Sequence, residues 1–203
     1  MEVRYLAHAK QMQALDRLPE LAREFTDTFG RASGGLVRGY RNEDATTVVV
    51  GLGSVLGTIE DVVDDLRDEG VRIGALSIKS FRPFPLEEVR AALTGAERVI
   101  VLEKALAVGI GGILSRDVHS ALAGLPVDVL TTIAGLGGRA ITKASLREHF
   151  IAAMAGETGP LTFLDLNREL VERELQRLGE QRRSGPHAEN MLRDLGAVAA
   201  GPV

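Results

Sequence analysis

Three glycine-rich corners occupy the positions where α/β proteins most often place chemistry. They are Gly51-Leu52-Gly53-Ser54-Val55-Leu56-Gly57, Gly109-Ile110-Gly111-Gly112 and Gly135-Leu136-Gly137-Gly138. Each lies between an apolar, strand-like run and a helical pattern, and a helix N-terminus with free N–H groups can hold a phosphate. The spacing fits neither specific version of that device. The first corner has one residue too many for G-x-G-x-x-G, and Gly53 to Thr58 lacks the lysine of a P-loop. Glycines serving tight turns and close packing are the preferred reading.

Other chemistry-bearing side chains are few. Glu103-Lys104 ends a strand-like run, a position that faces the crevice of an open α/β sheet, and reads first as an ion pair shaping its loop. Arg82 and Arg139 each sit beside a rigid loop and could clamp a carboxylate or phosphate bidentately. An acidic group on a neighbouring subunit is the favoured partner, because arginine is enriched at interfaces. His8, His119, His149 and His187 are scattered with no i, i+4 pair and read as solvated or structural. The acidic run 60–69 reads as a solvated helix face. No residue is assigned a catalytic, cofactor-binding or metal-binding role.

The elements that must position these residues follow from periodicity. Val48-Val49-Val50 lacks polar alternation, the mark of a parallel strand buried on both faces, and ends at Gly51. Thr58 is the expected N-cap of the next helix, whose buried face is Ile59, Val62, Val63 and Leu66 and whose C′ residue is Gly70. Strands follow at 72–78, 98–102 and 127–133, with helices at 86–93, to about 122, and from a Thr142 cap to about 154. Phe81-Arg82-Pro83-Phe84-Pro85 reads as a rigid extended path between them. Strand–helix alternation at this period predicts right-handed crossovers in an α/β fold, a three-layer α/β/α sandwich with a mostly parallel sheet and flanking helices. Ahead of it, Gln11 to Phe29 carries an apolar stripe at helical spacing, interrupted at Pro19, and Leu36 to Tyr40 reads as a short edge strand. Behind it, Phe163 to Leu178 reads as a charged helix with Leu164, Val171, Leu175 and Leu178 on one face. The expected division is 1–45 as helix and connector, 46–156 as the α/β domain and 157–203 as helix and tail, with 181–203 an appendage that folds on contact.

Composition narrows the function classes. A 203-residue chain with 45% hydrophobic and 26% charged residues can bury one good core. The formal net charge of -4 provides no footprint for nucleic acid or anionic lipid. No apolar run nears the roughly 20 residues of a membrane span, and the opening residues match neither a signal peptide nor a lipidation motif. A cytoplasmic location is expected. Cysteine is absent, so this sequence supplies no disulfide, thiol nucleophile, Cys-ligated zinc or cysteine-held iron–sulfur cluster.

Taken together, Phe29-Gly30-Arg31, Tyr40-Arg41-Asn42-Glu43-Asp44-Ala45, Gly53-Ser54, Phe81 to Pro85, Val101 to Lys104 and Ala134 to Arg139 carry a resemblance in their order and spacing. Over roughly Ala7 to Phe150 the chain resembles the C-terminal half of the alpha subunit of 2-oxoacid:ferredoxin oxidoreductases, the pyruvate:ferredoxin oxidoreductase type. The resemblance implies a transketolase C-terminal-like domain. The family more often has Leu-Asp-Arg where this chain has Leu102-Glu103-Lys104, which keeps the charges and loses the guanidinium fork.

The resemblance also implies thiamine diphosphate, Mg²⁺, iron–sulfur clusters and CoA in the complex, with none bound by this chain alone. The family's aminopyrimidine-binding domain, its Gly-Asp-Gly motif and its cluster cysteines have no match in this sequence. The implied role is a non-catalytic subunit, a split-off piece or fragment of the alpha subunit. It would pack against pyrimidine-domain, diphosphate-domain, gamma and ferredoxin-like chains in a hetero-oligomer. The expected contact elements are helix 11–29, the Phe81–Pro85 and Gly135–Arg139 loops and helix 163–178. Two alternatives stand beside it: a chain of another thiamine enzyme, of transketolase or dehydrogenase beta type, and a free-standing nucleotide-binding module using loops 51–57 and 109–112.

Overall fold

The computed structural model describes residues 1–180, with side chains as far as residue 177. The chain divides into two compact units, the first Met1–Leu164 and the second beginning at Asp165. The tail at 181–203 lies outside the described residues.

The first unit is built on a six-stranded sheet: β1 (Val37–Tyr40), β2 (Thr47–Leu52), β3 (Ile73–Ile78), β4 (Arg98–Glu103), β5 (Asp128–Ile133) and β6 (Leu161–Phe163). Its order is β1-β3-β2-β4-β5-β6, with β1 antiparallel to β3 and every other pairing parallel. The central strands are apolar on both faces because both faces are covered. Val49, Ala75, Ile100 and Leu102 point toward α3 (Val55–Asp68) and α6 (Lys143–Met154). Val48, Val50, Val99 and Val101 point the other way, toward α4 (Leu86–Leu93) and α5 (Leu114–Ala121). The three-layer α/β/α class read from the sequence is the observed one.

Several local expectations hold at side-chain level. Thr142 caps α6, its hydroxyl accepting the Ser145 N–H. Gly70, at φ +86°, closes α3: its N–H bonds the Arg67 carbonyl at 2.9 Å while the Val71 N–H bonds the Leu66 carbonyl at 3.0 Å, the paired bonds of a Schellman end. The Tyr40–Ala45 stretch grips α3 at the other edge. The Tyr40 hydroxyl donates to Asp64, Arg41 pairs with the same carboxylate at 2.7 Å, and Asp44 accepts from Arg67 at 2.7 Å.

Four expectations are corrected. Thr58 is not the N-cap of α3: the left-handed turn at Gly53 (φ +83°) aims the chain at once, and the helix begins at Val55 behind Ser54. The apolar stripe is α2 (Ala14–Phe29), which runs through Pro19 unbroken, and a separate helix α1 (Glu2–Met12), not expected from the sequence, precedes it and is parted from it at Gln13. α1 buries no residue, so apolar periodicity could not announce it; its Glu, Arg, Leu, Ala, Lys and Gln are strong helix formers. The Phe81–Pro85 path is not simply extended, because the Arg82–Pro83 peptide is cis. Phe163 ends β6 instead of opening a helix: β5 has a free edge, and Pro160 and Leu164 bond to Thr131 and Ile133 there. In the second unit α7 (Arg168–Glu180) starts later, with the Asn167 side chain accepting the Leu170 N–H as cap.

Candidate functional site

In an open parallel sheet the ligand crevice forms where neighbouring strands send their connections to opposite faces. Here that point lies between β2 and β4. β2 is flanked by β3 and β4, α3 leaves β2 onto one face, and α5 follows β4 onto the other. Leu52 and Glu103 end the two strands, so the crevice opens between residues 51 positions apart in the chain.

Glu103 is 6% exposed and does not pair with Lys104. Its Oε2 accepts the N–H groups of Ile113 and Leu114, both at 2.8 Å, and its Oε1 accepts that of Ser115 at 3.0 Å. One carboxylate therefore fills the N-terminal end of α5, whose own N-cap position is Ile113, a residue with no capping side chain. Gly112 makes the arrangement sterically possible. A Cβ there would lie 2.0 Å from Glu103 Oε1 and 2.3 Å from Ser115 Oγ. The expected Glu103–Lys104 ion pair is corrected, because three aligned amides satisfy the carboxylate better than one ammonium. The phosphate-cradle reading of the 109–112 loop falls with it. The donors such a ligand needs are already taken, and the loop folds on itself through paired Ala107 and Gly111 amide bonds of 2.8 Å.

Lys104 is exposed and forms no ion pair or hydrogen bond with the described residues. Its stem crosses Gly135, where a Cβ would come within 3.0 Å of Lys104 Cε and of Ile141 Cδ1, and whose φ of +69° also favours glycine. Beside it lies a cavity of about 280 Å³ walled by Leu52, Phe81, Ala105, Ile113 and Leu114, with Glu103 behind. Four stretches singled out in the sequence thus meet at one end of the sheet: the 51–57 corner, the Phe81–Pro85 path, Glu103-Lys104 and the 135–139 loop.

The remaining candidates separate. Arg82 is used within the chain, its guanidinium 2.8 Å from Asp117 of α5, 2.6 Å from the Phe81 carbonyl and 4.0 Å above the Phe81 ring. Arg139 follows the turn Leu136–Gly138 and is exposed. His149 is buried on α6 with its Nε2 2.6 Å from Thr132 Oγ1, a structural role, while His8 and His119 are exposed. His187 lies outside the described residues.

Among the described residues no three His, Asp or Glu side chains converge as a metal site, and the sequence offers no cysteine. With Glu103 bound to the amides of Ile113, Leu114 and Ser115, the α5 terminus does not fit a diphosphate. No helix among them is long and apolar enough to cross a membrane.

The Glu103 cap on α5, missed by sequence reading, did have a signal. A helix that starts behind Gly-Gly with an isoleucine at its N-cap needs an acceptor from elsewhere in the chain.

Residues 45–146 match the family model described as pyruvate:ferredoxin oxidoreductase core domain II. The chain is 39% identical over 177 residues to the pyruvate synthase subunit PorA of Methanosarcina barkeri, covering 84% of this chain and 44% of that protein. It is 40% identical over 159 residues to the PorA subunit of Thermotoga maritima, covering 75% and 40%. It thus spans less than half the length of these curated relatives. A solved 2-oxoglutarate:ferredoxin oxidoreductase from Magnetococcus marinus aligns with a TM-score of 0.44 at 19% identity, over 63% of this chain and 20% of that one. The family match covers the strands, loops and cap that build the crevice, from Ala45 to Leu146, and on it the chain belongs to the pyruvate:ferredoxin oxidoreductase core domain II family.

Proposed function

We propose that this chain is a non-catalytic, assembly-forming alpha-type subunit of a thiamine-diphosphate-dependent 2-oxoacid:ferredoxin oxidoreductase. Such a complex decarboxylates a 2-oxoacid oxidatively, captures the acyl group on CoA and passes the electrons to ferredoxin. Family membership supports the setting, and the relatives are named as pyruvate synthase subunits. The single observation that carries the non-catalytic part is Glu103. It is the buried carboxylate at the strand ends, where an acid–base residue would stand, and its oxygens are already bound to three backbone amides. A group so fixed holds α5 in place and is not poised to exchange protons with a substrate.

The helical pair α1–α2 supports the assembly part. Neither helix buries a residue, and Val3, Tyr5, Leu6, Leu18, Leu21 and Phe29 stand in solvent. Apolar side chains gathered on one exposed element are the usual sign of a protein contact. On this reading residues 1–45 form the docking element, 46–156 the α/β domain and 157–203 a second contact element, in a cytoplasmic hetero-oligomer whose other chains hold the cofactors.

Co-expression with the thiamine-binding and cluster-bearing chains of such a complex tests the proposal. Co-elution in one complex, with 2-oxoacid turnover that needs every chain, is the expected result. A chain that stays monomeric beside an active complex, or that turns over a 2-oxoacid alone, would overturn it.

A further inference from the structure

A cavity opens at the carboxyl ends of β2 and β4. We propose that it is a binding site for a small monoanion, a carboxylate with a compact apolar body, held with its charge at Lys104. Four observations converge on it. It lies at the switch point of the sheet, where parallel α/β proteins place ligands. Its walls, Leu52, Phe81, Ala105, Ile113 and Leu114, are apolar. Of the two charged residues that line it, the Glu103 carboxylate is bound by the α5 amides, which leaves Lys104 as the one group to orient a ligand. Finally, the Lys104 stem lies along Gly135: a Cβ there would come within 3.0 Å of Lys104 Cε, so the glycine leaves the stem room to pass.

The volume of about 280 Å³ is just below the roughly 300 Å³ at which drug-sized sites begin, which sets the ligand as small. A larger recess of about 440 Å³ lies between α5 and the β6 edge. Its polar groups, Arg116, His119 and Ser120, are exposed on the surface of α5, and only Ile110, Pro160 and Leu161 line it with apolar side chains. The proposal concerns this chain by itself and stands or falls separately from the assembly role.

The test is an amide-resolved NMR titration of the full chain with hexanoate, hexanamide and acetate. Hexanoate should shift the resonances of Leu52, Phe81, Ala105 and Ile113 and bind about tenfold more tightly than hexanamide, the ratio expected of one charge-assisted contact. Acetate, with the charge and little apolar body, should bind far more weakly. In Lys104→Met the preference for hexanoate over hexanamide should vanish while hexanamide binding persists, which also shows that the variant is folded. Equal affinity of hexanoate and hexanamide for the unaltered chain, shifts centred on Arg116 and His119, or no saturable binding would each overturn the proposal.

Discussion

Replacing Glu103 by glutamine should lower the stability of the chain by about 3 kcal/mol. The figure follows from the three N–H···O⁻ bonds of 2.8, 2.8 and 3.0 Å that the carboxylate accepts. Hydrogen bonds to a charged group contribute about 1.5–3 kcal/mol each and neutral ones about 0.5–1.5. The glutamine oxygen can keep the bonds from Ile113 and Leu114, each weakened by roughly 1 kcal/mol on losing the charge. Its NH₂ then faces the Ser115 N–H, donor against donor, and leaves that buried amide unpaired at a further cost of about 1–3 kcal/mol. Relief of the carboxylate's own desolvation offsets part of this. Urea unfolding followed by circular dichroism reads the result. With an m-value near 2 kcal/mol/M, the midpoint should fall by roughly 1.5 M with little change in slope. The fall should persist at high salt, since the buried carboxylate–amide contacts are poorly screened. Glu103→Asp keeps the charge but is one methylene shorter, and should lie between glutamine and the parent. A Glu103→Gln midpoint within about 0.3 M of the parent would refute the argument that this carboxylate holds α5 in place.

Two further outcomes follow from the same geometry. Gly112→Ala places a Cβ 2.0 Å from Glu103 Oε1, so the carboxylate must leave its amides; urea unfolding should show a loss of about 2–4 kcal/mol, and a neutral substitution would contradict the close approach. At the opposite edge, the hydrogen bond from the Arg67 guanidinium, reinforced by its charge, holds the Asp44 carboxyl below the ordinary carboxylate value. The stability this gives is present above the unfolded value and lost as pH falls through the lower folded one; NMR titration of Asp44 should show the depressed midpoint, and a midpoint at or above the ordinary value would count against the pairing.

Much of the architecture was legible in the amino-acid order because it rests on local rules. Val48-Val49-Val50 and Val99-Ile100-Val101-Leu102 carry no polar alternation, and only strands covered on both faces can afford that pattern. Ile59, Val62, Val63 and Leu66 mark one face of α3 by their spacing, Gly70 its left-handed end, and Thr142 the start of α6, each through a pattern within a few residues. Where local rules were silent, the reading failed. α1 has no buried face to create periodicity. β6 exists because β5 offers it unpaired amides and carbonyls, and nothing within Leu161–Phe163 states that.

The candidate site shows the same division. The sequence by itself determined its ingredients: a cysteine-free chain, three glycine corners, a Glu-Lys pair at a strand end and the Phe81–Pro85 path. The tertiary structure decided what those ingredients do. Whether Glu103 pairs with its neighbour Lys104 or reaches the amides of residues 113–115 depends on where β4 delivers α5. Whether Lys104 is left to face a cavity depends on the passage of its stem over Gly135, 31 positions away. The partners of a side chain are set by distances through space, which the chain fixes only once the sheet has closed its order β3-β2-β4-β5 around the crevice.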